Sequence, residues 1–252
     1  MAEVLNFEHN GITVNATESP EAMGGLGDNV IGLVGTAPNA DPLIPRNAPF
    51  RINSFTTHAL LDPTGSEEGT LYHAVYQILK VVKVPVYVVI VEAGATPADT
   101  VNAVIGGVEP ATGRKLGLAA LGSVPEDLTI IGAPGFTGTK AVASEFASFG
   151  KRIKARVVLD GKDASVADQV TYSQELGGAD LGFDRCLVVH NMPAVYSKAA
   201  KKNVFLSPSS LAIAALAKVK QWESPGNQVT YAEDVSRVVE YNILDTSTEG
   251  DL

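Results

Sequence analysis

The run Val84-Pro-Val-Tyr-Val-Val-Ile-Val91 restricts the possible folds more than any other segment of this chain. Six of its eight residues are β-branched and none is charged. A strand with one wet face alternates apolar and polar residues, whereas a continuous run belongs to a strand covered on both faces. Eight residues fall far short of the ~20 that a membrane-spanning helix needs. A strand buried on both sides implies an α/β architecture, in which parallel neighbours are joined by crossover helices.

The flanking sequence supplies those helices and further strands. Asn29-Val-Ile-Gly-Leu-Val-Gly-Thr-Ala37 is a second buried strand, closed by Pro38. Leu71, Val75, Ile78, Leu79 and Val82 repeat at helical spacing, which predicts a helix over 70–82 with Thr70 as its cap and Lys80 and Lys83 near its end. Residues 112–122 read as a further helix. Leu128-Thr-Ile-Ile-Gly132 and Ala155-Arg-Val-Val-Leu-Asp160 read as strands, separated by a helix from Thr139 to about Arg152 with Val142, Phe146 and Phe149 on one face. Ala164–Leu176 is a helix with Asp163 or Ser165 at its start, and Cys186–His190 is a strand. Ser207-Pro-Ser opens a helix with Pro208 in its first turn, running to about Trp222. The expected fold is α/β, a mainly parallel sheet with helices on both faces, plus an extended N-terminal arm that bears a strand.

The two ends break this rhythm. Residues 1–28 carry Glu3, Glu8, Glu18, Glu21 and Asp28 with no lysine or arginine, and Gly24, Gly25 and Gly27 hinge them to the body. Their one β-capable core, Gly11, Ile12, Thr13, Val14 and Asn15, has little of its own to pack against. Such a strand completes its backbone hydrogen bonds by adding to another sheet, often on another chain. Residues 223–252 hold seven acidic residues against Arg237 alone, with a strand expected over Val235–Leu244. The polar run Thr246-Ser-Thr-Glu-Gly-Asp251 reads as the lead into something further, so the chain is expected to be a fragment. The expected division is a 1–28 arm, a 29–226 body, and the start of an assembly domain at 227–252.

Composition excludes several functions. A net charge of −9 argues against non-specific nucleic-acid binding. The single cysteine, Cys186, excludes an internal disulfide or a cysteine-based metal cluster and reads as a buried core thiol. Met1-Ala-Glu-Val-Leu-Asn6 lacks the basic and apolar regions of a secretory signal, so a soluble chain made in a reducing compartment is expected.

Reactive motifs are scarce. Gly24-Gly-Leu-Gly27, Val34-Gly-Thr-Ala-Pro38 and Thr137-Gly-Thr-Lys140 lack the order and spacing of a phosphate-binding loop. No Gly-x-Ser-x-Gly elbow is present. His9, His58, His73 and His190 show no metal-ligand spacing. His190 stands at the carboxyl end of a strand, where α/β sheets place their sites, and is the best catalytic candidate, beside Asp160 and the Pro134–Phe136 turn. Lys151, Arg152, Lys154 and Arg156 read as a solvated helix end and strand face. Lys198, Lys201 and Lys202 read as a polar loop.

A set of segments in this order resembles the sheath proteins of contractile phage tails and R-type bacteriocins. They are the strand around Gly11-Ile-Thr-Val14, Ile31-Gly-Leu-Val-Gly-Thr-Ala-Pro38, the helix Leu71–Leu79 running into Pro85–Val91, and Leu128-Thr-Ile-Ile-Gly-Ala-Pro-Gly-Phe136. Ala155-Arg-Val-Val-Leu-Asp-Gly161, Leu206-Ser-Pro-Ser-Ser-Leu-Ala-Ile-Ala-Ala215 and Trp222-Glu-Ser-Pro-Gly-Asn227 complete it. Members of that family continue past this point into a tube-facing assembly domain. The resemblance implies a structural subunit, not an enzyme, with no catalytic, cofactor or metal residue. It implies hexameric rings of neighbouring copies stacked around a tail tube protein, with baseplate and tail terminator proteins at the ends, inside a virion or tailocin particle assembled in the bacterial cytoplasm. It further implies contraction that drives the tube through a cell envelope, without membrane insertion of the sheath, while exchanged strands such as Gly11–Asn15 tether the neighbours. The competing expectation is a soluble α/β enzyme or ligand-binding domain with its site at the carboxyl edge of the sheet.

Overall fold

The continuous apolar runs do become the centre of a parallel sheet. A computed structural model describes residues 29–161, 166–176, 185–220, 223 and 234–235. The 1–28 arm with its Gly11–Asn15 strand lies outside the described residues, as does 227–252 apart from two residues.

The main sheet has six strands. They are β1 (Ile31–Thr36), β2 (Pro49–Ile52), β3 (Val86–Val91), β6 (Ile130–Gly132), β7 (Arg156–Asp160) and β8 (Cys186–Val189), in the order β2-β3-β1-β6-β7-β8. All neighbours are parallel except β2, which runs antiparallel to β3 at one edge. Every residue of β1 and of β3 is buried. Successive side chains of β3 alternate between two cores, with Tyr87, Val89 and Val91 in one and Val86, Val88 and Ile90 in the other. This is why the run shows no polar alternation: both faces are interior.

Helices α2 (Leu71–Val81) and α7 (Pro208–Lys218) fill one core with Leu71, Val75, Ile78, Ile213 and Ala214. Helices α3 (Pro97–Ile105), α4 (Leu118–Leu121), α5 (Lys140–Ile153) and α6 (Val166–Glu175) fill the other, through Val104, Leu121, Phe146, Phe149 and Tyr172. The short α1 (Phe55–His58), capped by Ser54, continues into a 3-10 turn at Ala59–Leu61. A two-stranded ribbon pairs β4 (Gly107–Val108) with β5 (Lys115–Leu116). A small second sheet pairs β9 (Pro193–Ser197) with β10 (Lys202–Phe205) and with β11 (Asp234–Val235).

The structure corrects several expectations. The helix expected over 112–122 is a turn, β5 and one short helical turn, because Gly117 sits at φ +52° and interrupts any helix that includes it. The expected loop around Lys198, Lys201 and Lys202 is the turn and outer strand of the β9–β10 hairpin. Helix α7 stops at Lys218, because Val219 turns to extended backbone and Asn29 takes the carbonyls of Ala217 and Val219. Cys186 is half-buried, since β8 is an edge strand. Thr70 occupies the cap position of α2, yet its hydroxyl accepts from the Thr36 amide instead of from the helix.

Helix α5 packs closely on β7 at Gly150, where a Cβ would stand 2.3 Å from Val157 Cγ2. Alanine is favoured over glycine by up to ~1 kcal/mol in a helix interior, whereas overpacking a stiff valine costs about 1–3 kcal/mol. Gly150→Ala is therefore expected to lower the denaturant midpoint. A raised midpoint would show that helix propensity governs this position and that the packing there is slack.

Candidate functional site

In an open parallel sheet, a ligand crevice forms at the carboxyl edge where the strand order reverses. Here the reversal lies between β1, whose crossover leads to β3 on one side, and β6 on the other. The chain's own groups take the amides at the ends of the strands here. The Thr36 amide donates to Thr70 Oγ1 at 3.2 Å, and the Thr70 amide returns a bond to Thr36 O at 3.0 Å. Gly69 (φ +89°) lets the two segments meet, since a Cβ there would stand 2.5 Å from Thr36 O. Val34–Pro38, which lacks the spacing of a phosphate loop, spends the Thr36 amide on holding the start of α2.

Asp160 dominates the neighbouring position. It ends β7 and is 5% exposed. One carboxylate oxygen accepts from the Gly135 amide at 2.9 Å and from Thr137 Oγ1 at 2.8 Å. The other accepts from the Ser209 amide at 2.9 Å and from the Ser207 hydroxyl. Four donors on two oxygens satisfy a buried carboxylate, and two of them belong to the first turn of α7, where the helix dipole favours an anion. Asp160 thus ties the β6–α5 turn, the end of β7 and the start of α7 into one knot. The same turn is held from below by the Tyr172 hydroxyl, which donates to Thr137 O at 2.6 Å. Burial, then the charges of Asp160 and Glu175, push the Tyr172 phenol up to about 12.

The structure brings the sequence candidates to one edge without making a reactive centre of them. Gly135 of the Pro134–Phe136 turn reaches Asp160 directly, and His190 follows Val189, the register partner of Asp160. The carboxylate is saturated by structural donors and cannot act as an open base. A cavity of about 390 Å³ lies nearby, with Glu67, Thr70, His73, Ser197 and Ser207 in its wall, and neither Asp160 nor His190 lines it. His73 Nε2 lies 3.7 Å from Glu67 Oε2, but burial keeps the imidazole below its ordinary pKa despite the charges of Glu67 and Asp62. His58 is buried against Tyr72, Tyr76 and Phe55, with its Nε2 2.8 Å from Tyr72 O. Among the described residues no group of three or more His, Cys, Asp or Glu side chains could hold a metal, and no helix is long and apolar enough to cross a membrane. His9 and Gly11–Asn15 lie outside the described residues. Sequence reasoning missed the meeting of Asp160 with α7; its one local signal is Ser207-Pro-Ser, a helix start whose amide cap comes from elsewhere.

The body is thus a doubly wound α/β block in which the chain's own side chains take the Thr36, Gly135 and Ser209 amides at the carboxyl edge, beside a cavity of about 390 Å³ whose wall includes Thr70, Gly135 and Ser207. No family model matches the chain. It is 28% identical over 251 residues to a prophage major tail sheath protein of Pseudomonas aeruginosa (strain UCBPP-PA14), an alignment that covers 94% of this chain and 62% of the relative. Its fold is similar to that of the sheath complex of an extracellular contractile injection system, PVC, in the contracted state, with a TM-score of 0.56 and 16% identity over 92% of this chain and 58% of the other. The chain therefore spans about three-fifths of the length of each. The α/β fold and the resemblance to tail sheath proteins hold along nearly the whole sequence.

Asp160→Ala strands the Ser209 amide and leaves the Gly135 amide with only Ser207 Oγ, at 3.0 Å, and a bond to a charged acceptor is worth about 1.5–3 kcal/mol. It is expected to cost at least about 3 kcal/mol of stability, with His190→Ala costing far less; equal and small losses would return Asp160 to the list of free functional groups. A second expectation concerns alkali. The folded state holds the Tyr172 proton to about pH 12, whereas an unfolded phenol loses it near 10. That stability is complete below pH 10 and is lost as pH rises toward 12, on the order of 2 kcal/mol. Melts between pH 9 and 12 of the wild type and Tyr172→Phe check it, the variant showing the flatter decline.

Proposed function

We propose that this chain is the outer body of a contractile tail sheath subunit, which polymerises around a tail tube and drives it through a cell envelope when the sheath contracts. The observation that carries the reading is the resemblance to a prophage tail sheath protein along 94% of the chain. A sheath subunit needs a stiff block with stable interfaces, and two apolar cores on a six-stranded sheet make one. Energy for contraction is held in alternative packings between copies, not in a reaction. The partners are neighbouring copies of the chain in hexameric rings, the tail tube, and the baseplate and terminator at the ends. Residues 1–28 serve as the tether, with Gly11–Asn15 adding to a neighbour's sheet, and 227–252 begin the tube-facing domain. The particle is assembled in the cytoplasm, and the chain has no enzymatic role.

Immunogold labelling with antibodies to the 29–220 body is expected to decorate extended tails along their length. Recovery of the protein only as a free soluble species, in a cell that makes contractile particles, would sink the reading.

The energetics of the arm give a second expectation. Burying Ile12 and Val14 stabilises by roughly 3–6 kcal/mol at most. Ordering ~15 residues costs about 1–2 kcal/mol each in backbone entropy. The balance turns favourable only when a neighbour's sheet edge supplies backbone bonds along the arm. Deleting residues 1–18 should leave the melting temperature of this chain nearly unchanged and abolish polymerisation of the full-length subunit. A large drop in melting temperature would make the arm an internal strand.

A further inference from the structure

The cavity beside the Asp160 knot holds one buried group that the described residues leave without a partner. The 66–70 segment, helix α2, the β9–β10 hairpin and the start of α7 form its wall. Its volume of about 390 Å³ falls within the span of small-molecule sites, roughly 300–1,000 Å³. Glu67 stands in that wall with its side chain 8% exposed. Its Oε1 accepts from the Lys198 amide at 3.2 Å. Its Oε2 is buried and accepts no hydrogen bond among the described residues. Such an oxygen is costly, because the water it gave up is not replaced by a donor. The loop nonetheless fixes it there. Glu67 sits at φ +58°, where residues of its type are rare. The Asp62 carboxylate holds that turn, accepting from the Thr64 hydroxyl at 2.6 Å, the Gly65 amide at 3.1 Å and the Glu67 amide.

The surrounding groups define what would satisfy this oxygen. The Ser207 and Ser197 hydroxyls in the same wall are engaged, with Asp160 and with the Ala200 amide. His73 Nε2 lies 3.7 Å from Glu67 Oε2, beyond hydrogen-bond reach. Burial holds that imidazole below its ordinary pKa, against the charges of Glu67 and Asp62, so it is neutral at pH 7 and has a lone pair to offer. A cationic donor about 2.8 Å from each would bond both. Guanidinium recognition uses both oxygens of a carboxylate, and here Oε1 is taken, so the single open oxygen suits an ammonium. Ala74 of α2 and Val204, Phe205 and Leu206 along and after β10 give the rest of the wall apolar surface, a place for a short alkyl stem.

We propose that this cavity binds a primary alkylammonium group, with Glu67 Oε2 as its anchor, His73 Nε2 as a second acceptor and the Ala74, Val204 and Leu206 surface against its carbon chain. The site belongs to the single chain and stands apart from the sheath reading. A free small amine and a lysine side chain of a second copy carry the same chemistry. Both need an N–H as well as a positive charge, which separates them from quaternary ammonium ions and from neutral alcohols.

The test titrates n-butylammonium chloride into the whole 252-residue chain, nitrogen-15 labelled, at constant ionic strength. The amides of Gly69, His73 and Lys198 should shift saturably, Lys198 most directly because it bonds the same carboxylate. Tetramethylammonium and n-butanol should leave them unmoved, the first for want of an N–H and the second for want of a charge. Glu67→Gln keeps an acceptor for the Lys198 amide and removes the charge. It should weaken butylammonium by about tenfold or more, the factor that one lost bond to a charged group implies. Sedimentation at rising concentration separates the sources. Self-association that butylammonium disperses assigns the lysine of a second copy, and any other result assigns a free amine. No saturable shift, equal shifts with tetramethylammonium or butanol, or unweakened binding to Glu67→Gln would each overturn the proposal. A site already held by Lys198, or by Lys162 or Arg237 outside the described residues, would give the first of these.

Discussion

A buried carboxylate holds the carboxyl edge of this fold together. Asp160 would be costly in an apolar interior unless its charge were fully hydrogen-bonded. The chain meets that demand by drawing two distant segments to the end of β7: the turn at Gly135 and Thr137, and the first turn of α7. These donors lie 23 to 49 residues from Asp160 in sequence. Because α7 must start at Asp160, its face carrying Ile213 and Ala214 lands on the core beside α2, and its end reaches Asn29 at the opposite edge of the sheet. The register of one helix against the whole sheet follows from one charge.

The same demand explains why an architecture so often used for binding small molecules holds its own groups here. The reversal point between β1 and β6 offers backbone amides and a helix start, and both are met from within, by Thr70 above β1 and by Asp160 beside β6. Meeting those groups from within adds stiffness, since the loops are pinned to strand ends.

Much of this was legible in the sequence, and the reason differs by element. Strands β1, β3, β6 and β7 announce themselves because burial on both faces forces continuous apolar runs, and α2 and α5 because one buried face forces a 3.6-residue period. The β9–β10 hairpin was illegible: Lys198, Lys201 and Lys202 fall on its turn and outer strand, where solvent tolerates charge and hides the strand period. The helix expected over 112–122 failed on Gly117, whose left-handed backbone is set by close approach to Ala103 and Val104 carbonyls far earlier in the chain. The Asp160 knot was invisible for a similar reason. An aspartate ending a strand before glycine reads as a turn former, and only the fold shows which amides it meets.

Charge is divided along the chain in a way that suits close stacking. Residues 1–28 and 223–252 together hold 12 of the 28 acidic residues and one of the 19 lysines and arginines. The stretch between them is left slightly positive, with 16 acidic residues against 18 basic ones. A set of identical blocks each carrying −9 would repel one another at contact distances shorter than the screening length of about 8 Å. With the whole excess at the ends, the 29–222 stretch is left nearly neutral, and such repulsion between copies of that stretch is small.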